Sequence, residues 1–264
     1  MAKFDVMDAT KYGYATAWGR RADIMRHVMT PLLVKIGALA AVLFLGLEQN
    51  YLRQGLVMLP AFFAEGFLVA YILRMVFLGD DIPRDVRAID INTARDLVAG
   101  MIVYVLIKLA LAFMVGMTLS QMDLQGAMLE GAAPDSAGED VPPPNMGTLL
   151  APLFIFGFTI WAFRFLWLYI PVALGQRLDD FWERISGFKS SLPMFACWMM
   201  CLLPFGFGMM IYMNFVIGMF PVPEGAEVSQ GAKLLILMGQ AVIELAMIIV
   251  SSLAMAWGFK NLKD

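Results

Sequence analysis

Apolar residues gather in six long runs along the chain, at about 31–47, 56–78, 97–119, 149–174, 192–220 and 234–258, and charged residues, prolines and glycines collect between them. Each run is near or above the roughly 20 residues that carry a helix across a bilayer, so the pattern predicts an all-α polytopic membrane protein with six transmembrane helices over 31–258. The first run is the shortest and holds Lys35 near its start, where a long stem can snorkel to the headgroups; the fifth is the longest and must tilt or break. Three intervening stretches read as amphipathic helices lying in the membrane interface. In one, Pro83 opens a helix with Val86, Ile89 and Thr93 on one face; in another, Leu178, Phe181, Trp182 and Ile185 share a face. In the third, residues 1–30, Tyr14, Trp18, Ile24, Met25 and Val28 are interleaved with Arg20, Arg21 and Arg26. The stretch 120–148 is different: Gly126, Gly131, Pro134, Gly138 and Pro142 to Pro144 make it an irregular acidic excursion.

The basic residues set an orientation. Thirteen lie in 1–30, 79–96, 176–189 and the tail 259–264, and one, Arg53, lies in the segments on the opposite side. The loop 120–148 carries Asp123, Glu130, Asp135, Glu139 and Asp140 with no Lys or Arg. By the positive-inside rule both termini are cytoplasmic, as an even number of spans requires, and the expected location is a bacterial inner membrane. No small-residue cleavage site follows the first apolar run, so the first helix is expected to stay in the mature protein.

Composition agrees with this and closes other classes. Of 264 residues 60% are hydrophobic and 16% charged, with a mean hydropathy of +0.73, against about 45–50% and 25% in soluble domains. A net charge of −3 with no basic run excludes a nucleic-acid partner. His27 is the only histidine, and Gly-x-Ser-x-Gly, a P-loop and a dinucleotide fingerprint are missing, so no catalytic signature and no cofactor are expected. Cys197 and Cys201 share a helix face without forming a structural disulfide. Met209 and Met213 also share a face, and the 22 methionines can be read as flexible apolar filler or as soft ligands for Cu(I). The pairs Asp80-Asp81 and Asp179-Asp180 read either as solvated loop acids or as a Mg²⁺ site over a lipid phosphate.

Five basic residues remain outside the loops and tails: Lys35, Arg74, Lys108, Arg164 and Lys233. Lys35, Arg74 and Lys233 lie near the ends of the runs. Lys108 and Arg164 lie deeper and are matched by Glu65 and Glu244. At 1.5 Å of rise per residue, Glu65, Lys108 and Glu244 fall about 13–16 Å below the outer ends of their helices, and Arg164 about 22 Å below. An unpaired charge at such depth costs at least about 2.5–3.5 kcal/mol, so four residues whose charges sum to zero are expected to face inward and pair. The expected contacts are Lys108 with Glu65 or Glu244, and Arg164 with the acid that remains. Such a group is either an ion-pair network that sets helix register or a proton- or substrate-binding centre. Pro204, Gly206 and Gly208 are expected to kink or break the fifth helix beside it.

The run Arg164-Phe165-Leu166-Trp167-Leu168-Tyr169-Ile170-Pro171, followed by an amphipathic helix ending Arg184-Ile185-Ser186, resembles six-helix bacterial proteins related to the membrane domain of glycerophosphodiester phosphodiesterases. The resemblance covers about residues 160–205, with Arg164, Pro171 and Ser186 as the matching positions. It implies a six-helix, non-enzymatic bundle, because no phosphodiesterase domain accompanies it. The resulting expectation is a structural, assembly or lipid-associated component whose partners are membrane lipid and other membrane-protein subunits. The alternative is a small transporter built around Glu65, Lys108, Arg164 and Glu244.

Overall fold

A computed structural model of the chain describes residues 4–47, 50–79, 90–131, 157, 160–185, 188–220 and 229–261. Among these residues every regular element is a helix: α1 Val6–Gly19, α2 Arg21–Phe44, α3 Tyr51–Val57, α4 Leu59–Phe77, α5 Ile91–Gly131, α6 Tyr169–Ala173, α7 Leu178–Arg184, α8 Phe188–Met219 and α9 Gln230–Asn261, with a 3-10 turn Phe163–Trp167 before α6. Five stretches are long and apolar enough to cross a membrane: Arg21–Phe44, Leu59–Phe77, Ile91–Met114, Ser190–Met219 and Gln230–Asn261. The protein is therefore helical and membrane-like. Of the expected span 149–174, the described part is the shorter apolar stretch Ile160–Ala173 together with residue 157.

Helix starts follow local chemistry. The Asp5 side chain accepts from the Asp8 N–H at 3.0 Å to cap α1, and the Asn50 side chain accepts from the Arg53 N–H at 3.1 Å to cap α3. Three elements differ from the sequence expectation. First, α2 begins at Arg21, ten residues before the apolar run, because hydrogen-bonded turns propagate through Ile24 and Val28 whatever the polarity between them. Second, α5 continues to Gly131, so the first part of the expected irregular excursion is helical; the rest of 120–148 lies outside the described residues. Third, α8 runs unbroken through Pro204, Gly206 and Gly208. Pro204 removes the N–H that would bond the Met200 carbonyl, yet helical continuity survives the loss of one bond. The Pro83 helix start falls outside the described residues, and α7 presents buried Phe181 and Ile185 but leaves Leu178 and Trp182 exposed.

Helix α4 is the hub, packed against α2, α5, α6 and α9, while α9 also carries α1 and α8. The N-terminal helix is thus folded onto the bundle. Gly13 makes this possible, since a Cβ there would lie 2.6 Å from the Val250 carbonyl oxygen and 2.9 Å from the Ala254 Cβ. The Tyr14 hydroxyl donates to the Cys201 carbonyl at 2.8 Å. Burial and, second, the neighbouring Cys201 push that hydroxyl up to about 12, so it stays a donor across the physiological range.

Two apolar clusters form the interior. The larger gathers Ile24 and Val28 of α2, residues 68–73 of α4, and Leu245 and residues 248–250 and 253–256 of α9. The smaller joins Ala38, Leu39 and Val42 of α2 to Met58 and Ala61 at the start of α4 and to Ala241 of α9. On all three helices the residues between the clusters include a charge: Lys35, Glu65 and Glu244. A polar layer therefore separates the two apolar ones.

Candidate functional site

The polar layer is built by residues from four helices, α2, α4, α5 and α9. Lys35 of α2 reaches between α4 and α9 and forms ion pairs with Glu65 and Glu244. Lys35 and Glu65 are almost completely enclosed, at 2% and 0% exposure. The second oxygen of Glu65 accepts from the Tyr104 hydroxyl at 2.9 Å and lies 3.9 Å from Lys108 Nζ. Tyr104 and Lys108 are one turn apart on α5, so both reach the same carboxylate, and the ammonium lies 5.6 Å from the centre of the Tyr104 ring. Glu244 is oriented in the same manner by Gln240, one turn earlier on α9, whose amide donates to Glu244 Oε1 at 2.7 Å. Below Tyr104, the Tyr169 ring meets it edge-on with centres 5.2 Å apart, and Tyr169 shares a 2.8 Å hydrogen bond with Ser252.

Two cations face two anions, so the layer is neutral. Taking a charge out of water costs several kcal/mol per ion, and close pairing with hydrogen bonds to the remaining lone pairs is what offsets it. Here every carboxylate oxygen of Glu65 and Glu244 has a cation or donor beside it. The arrangement can hold four helices in register. It can also hold a proton or cation near its rim, because Glu244 and Lys108 keep 36% and 28% of their side chains exposed.

The structure brings together Glu65, Lys108 and Glu244 and adds Lys35, which the sequence places at a helix end. The correction follows from the early start of α2: fourteen residues, about 21 Å of helix, precede Lys35, so it sits mid-span instead of near a headgroup. Tyr104 and Gln240 were equally hidden, although each stands four residues from a charged partner, a spacing that signals a shared helix face.

Arg164 does not join the acids. It lies in the 3-10 turn Phe163–Trp167, where Nη1 donates to the Ile185 carbonyl at 2.9 Å. Its guanidinium carbon is 4.6 Å from the centre of the Trp161 ring, 5.1 Å from Phe165 and 5.8 Å from Trp182. Height explains the separation, since Arg164 stands about one and a half turns away from the level of the carboxylates along the helix axes. Ile185 is the C-cap residue of α7: its N–H bonds the Phe181 carbonyl, and its own carbonyl is one of the acceptors that a helix end leaves without an intrahelical partner. Among the described residues, Arg164 Nε and Trp167 Nε1 are buried without a hydrogen bond.

Pro204, Gly206 and Gly208 are exposed on an unbroken helix, and no side chain lies within 4 Å of where a Cβ would stand on either glycine. The irregular backbone is instead at 163–168. The signal for it was Pro171, which denies the Trp167 carbonyl its usual donor. Arg74, expected near an interface, is also buried: it bonds Asp96 at 3.3 Å, Thr93 at 3.4 Å and the Ala173 carbonyl at 3.1 Å, tying α4, α5 and α6 together. Gly175 closes over this knot with φ +65°, and a Cβ there would fall 2.7 Å from Asp96 Oδ2.

The remaining candidates are dispersed. Cys197 and Cys201 are buried and free, with the Thr10 hydroxyl 3.6 Å from the Cys197 sulfur. Met194 is enclosed whereas Met210, Met213 and Met219 face outward. Asp179 is exposed beside Arg177 at 3.6 Å, and Asp80, Asp81 and Ser186 lie outside the described residues. No group of three His, Cys, Asp or Glu placed to hold a metal ion occurs among the described residues. Compared with known proteins, the chain matches no protein-family model, no curated protein and no solved structure.

Proposed function

We propose that the chain is an integral protein of a bacterial inner membrane that crosses it six times with both termini in the cytoplasm and serves as a non-enzymatic structural, assembly or lipid-associated component. The observation that supports this reading is the self-neutralising layer Lys35, Glu65, Glu244 and Lys108, whose carboxylates are fully engaged inside the bundle. Charges engaged in this way act as register pins between apolar layers, a use well attested for buried polar groups. The distribution of Lys and Arg supports the orientation, and the pattern Arg164, Pro171 and Ser186 supports kinship with the membrane domain of glycerophosphodiester phosphodiesterases.

The second reading is a small transporter that uses Glu244 and Lys108 as its ion-accessible rim, favoured by their partial exposure. Proteoliposomes loaded with a pH-sensitive dye separate the two. Under an imposed membrane potential, the structural reading expects proton and alkali-cation flux no greater than in protein-free vesicles. Flux above that level, lost in Glu244→Gln, establishes the transporter instead. Reporter fusions at both termini test the topology, and an external signal from either end defeats the six-span orientation.

A further inference from the structure

A groove of about 650 Å³ is lined by α1 and α2, by α9 and by Phe205 of α8. Ile24, Val28 and Leu32 form one wall and Leu245, Ala246 and Ile249 the other. Arg21 and Trp18 stand at one end. From Arg21 to Leu32 the groove follows twelve residues of helix, about 16 Å from first to last, close to one leaflet of a hydrocarbon core about 30 Å thick. Its polar end coincides with the start of α2 and its apolar end with the middle of the bundle.

We infer that this groove binds one acyl chain of an anionic phospholipid of the cytoplasmic leaflet, with the lipid phosphate held at Arg21. The inference deepens the lipid-associated reading above and rests on its orientation. Charge selects the headgroup: Arg20, Arg21 and Arg26 outnumber Asp23, the one acid in residues 20–30. The Arg21 guanidinium is already positioned, since Nη1 donates to the Trp18 carbonyl at 3.0 Å and the group lies 4.9 Å from the centre of the Trp18 ring. That bond uses one of the five N–H donors of an arginine, a residue suited to phosphate. Trp18 is 71% exposed, a position that suits an indole at the headgroup level. The lining below Arg21 is almost wholly apolar, so it offers an acyl chain dispersion contacts and offers a second headgroup nothing.

Native mass spectrometry of the full chain in detergent, titrated with phosphatidylglycerol or phosphatidylethanolamine of equal chain length, tests the assignment. One phosphatidylglycerol should bind about fivefold more tightly than phosphatidylethanolamine, the preference expected of one arginine at a membrane surface. Arg21→Ala, at an exposed position, should keep the fold and erase that preference. Ala246→Trp should fill the groove and remove both lipids. Equal binding of the two lipids by the wild-type chain, or full binding by a folded Ala246→Trp, overturns the proposal. Either failure leaves the flux and topology results of the previous section untouched, so the two readings fall separately.

Discussion

Lys35 and Arg164 are both more than nine-tenths buried, yet one lies between two carboxylates and the other among three aromatic rings and a carbonyl. The chemistry of the two cations accounts for the difference. An ammonium is a compact, strongly hydrated point charge, and in the middle of a bundle only anions replace its water. A guanidinium is planar and weakly hydrated, so ring faces and one carbonyl can take over much of its solvation. Position matters as well. Lys35 stands between the two apolar clusters, far from either end, whereas Arg164 stands beside the terminus of α7. A buried cation therefore need not imply a buried anion, and the neutrality of a set of charges does not reveal which cation belongs to it.

The contrast breaks most severely at Glu65. Glu65→Leu leaves Lys35 with Glu244 alone and Lys108 without its nearest carboxylate, and it should cost about 3–5 kcal/mol, as removal of one partner from a buried ion pair does. Unfolding in mixed detergent micelles and the yield of folded protein both read this loss. Combining it with Lys35→Leu leaves a neutral layer of Lys108 and Glu244 and should recover a large part of the stability. If the double variant is no better than Glu65→Leu, the layer is not held by charge balance.

Arg164 should answer differently. Arg164→Lys keeps the charge and loses the planar stack and the fork of donors, and Arg164→Met keeps the length and loses the charge. If the rings hold the cation, the two variants should be destabilised alike, by about 2 kcal/mol. Full stability in Arg164→Lys would mean that charge alone is recognised there, and would place Arg164 in the same class as Lys35.

Much of the scaffold was legible in the sequence because a long apolar run and a long helix are nearly the same signal in lipid. The runs 56–78, 192–220 and 234–258 correspond to Leu59–Phe77, Phe188–Met219 and Gln230–Asn261. Hydropathy misplaced the start of α2, because helix propagation depends on backbone bonds, and the polar stretch 21–30 needs only Ile24 and Val28 to anchor it in the core. That one shift carried Lys35 from a helix end to mid-span and hid the central cation of the layer. Depth arithmetic grouped Glu65, Lys108 and Glu244 correctly as neighbours in height, but Arg164 was assigned by neutrality, a rule blind to aromatic rings. A kink or break was expected at Pro204, where one lost bond is absorbed by a long helix that stays helical through it, and the 3-10 turn lies before Pro171, where the helix is short.

Arg74 provides an intermediate case, a buried arginine with both a carboxylate and a carbonyl. Gly175→Ala should force a non-glycine residue to φ +65° and push its Cβ against Asp96, at a cost of about 1–2 kcal/mol. Thermal unfolding should show the loss, and Asp96→Asn in the same background should add little, because the carboxylate has already been displaced. A large additional loss would show that Asp96 had stayed on Arg74.

The smallest effect is expected at the rim of the layer. Glu244 is one-third exposed, Gln240 fixes one of its oxygens, and Lys35 retains Glu65 when Glu244 is neutralised. Glu244→Gln keeps shape and hydrogen-bonding capacity while removing one charge, so it should cost about 1 kcal/mol or less, in the range of partly exposed pairs. The comparison with Glu65→Leu then measures how steeply pairing strength falls from the enclosed centre to the rim. Equal losses at the two positions would mean that the four residues behave as one indivisible unit, with burial of the individual carboxylate of no consequence. A graded response would mean that Lys35 and Glu65 set the register of the helices, leaving the Glu244 edge free to respond to whatever lies against it.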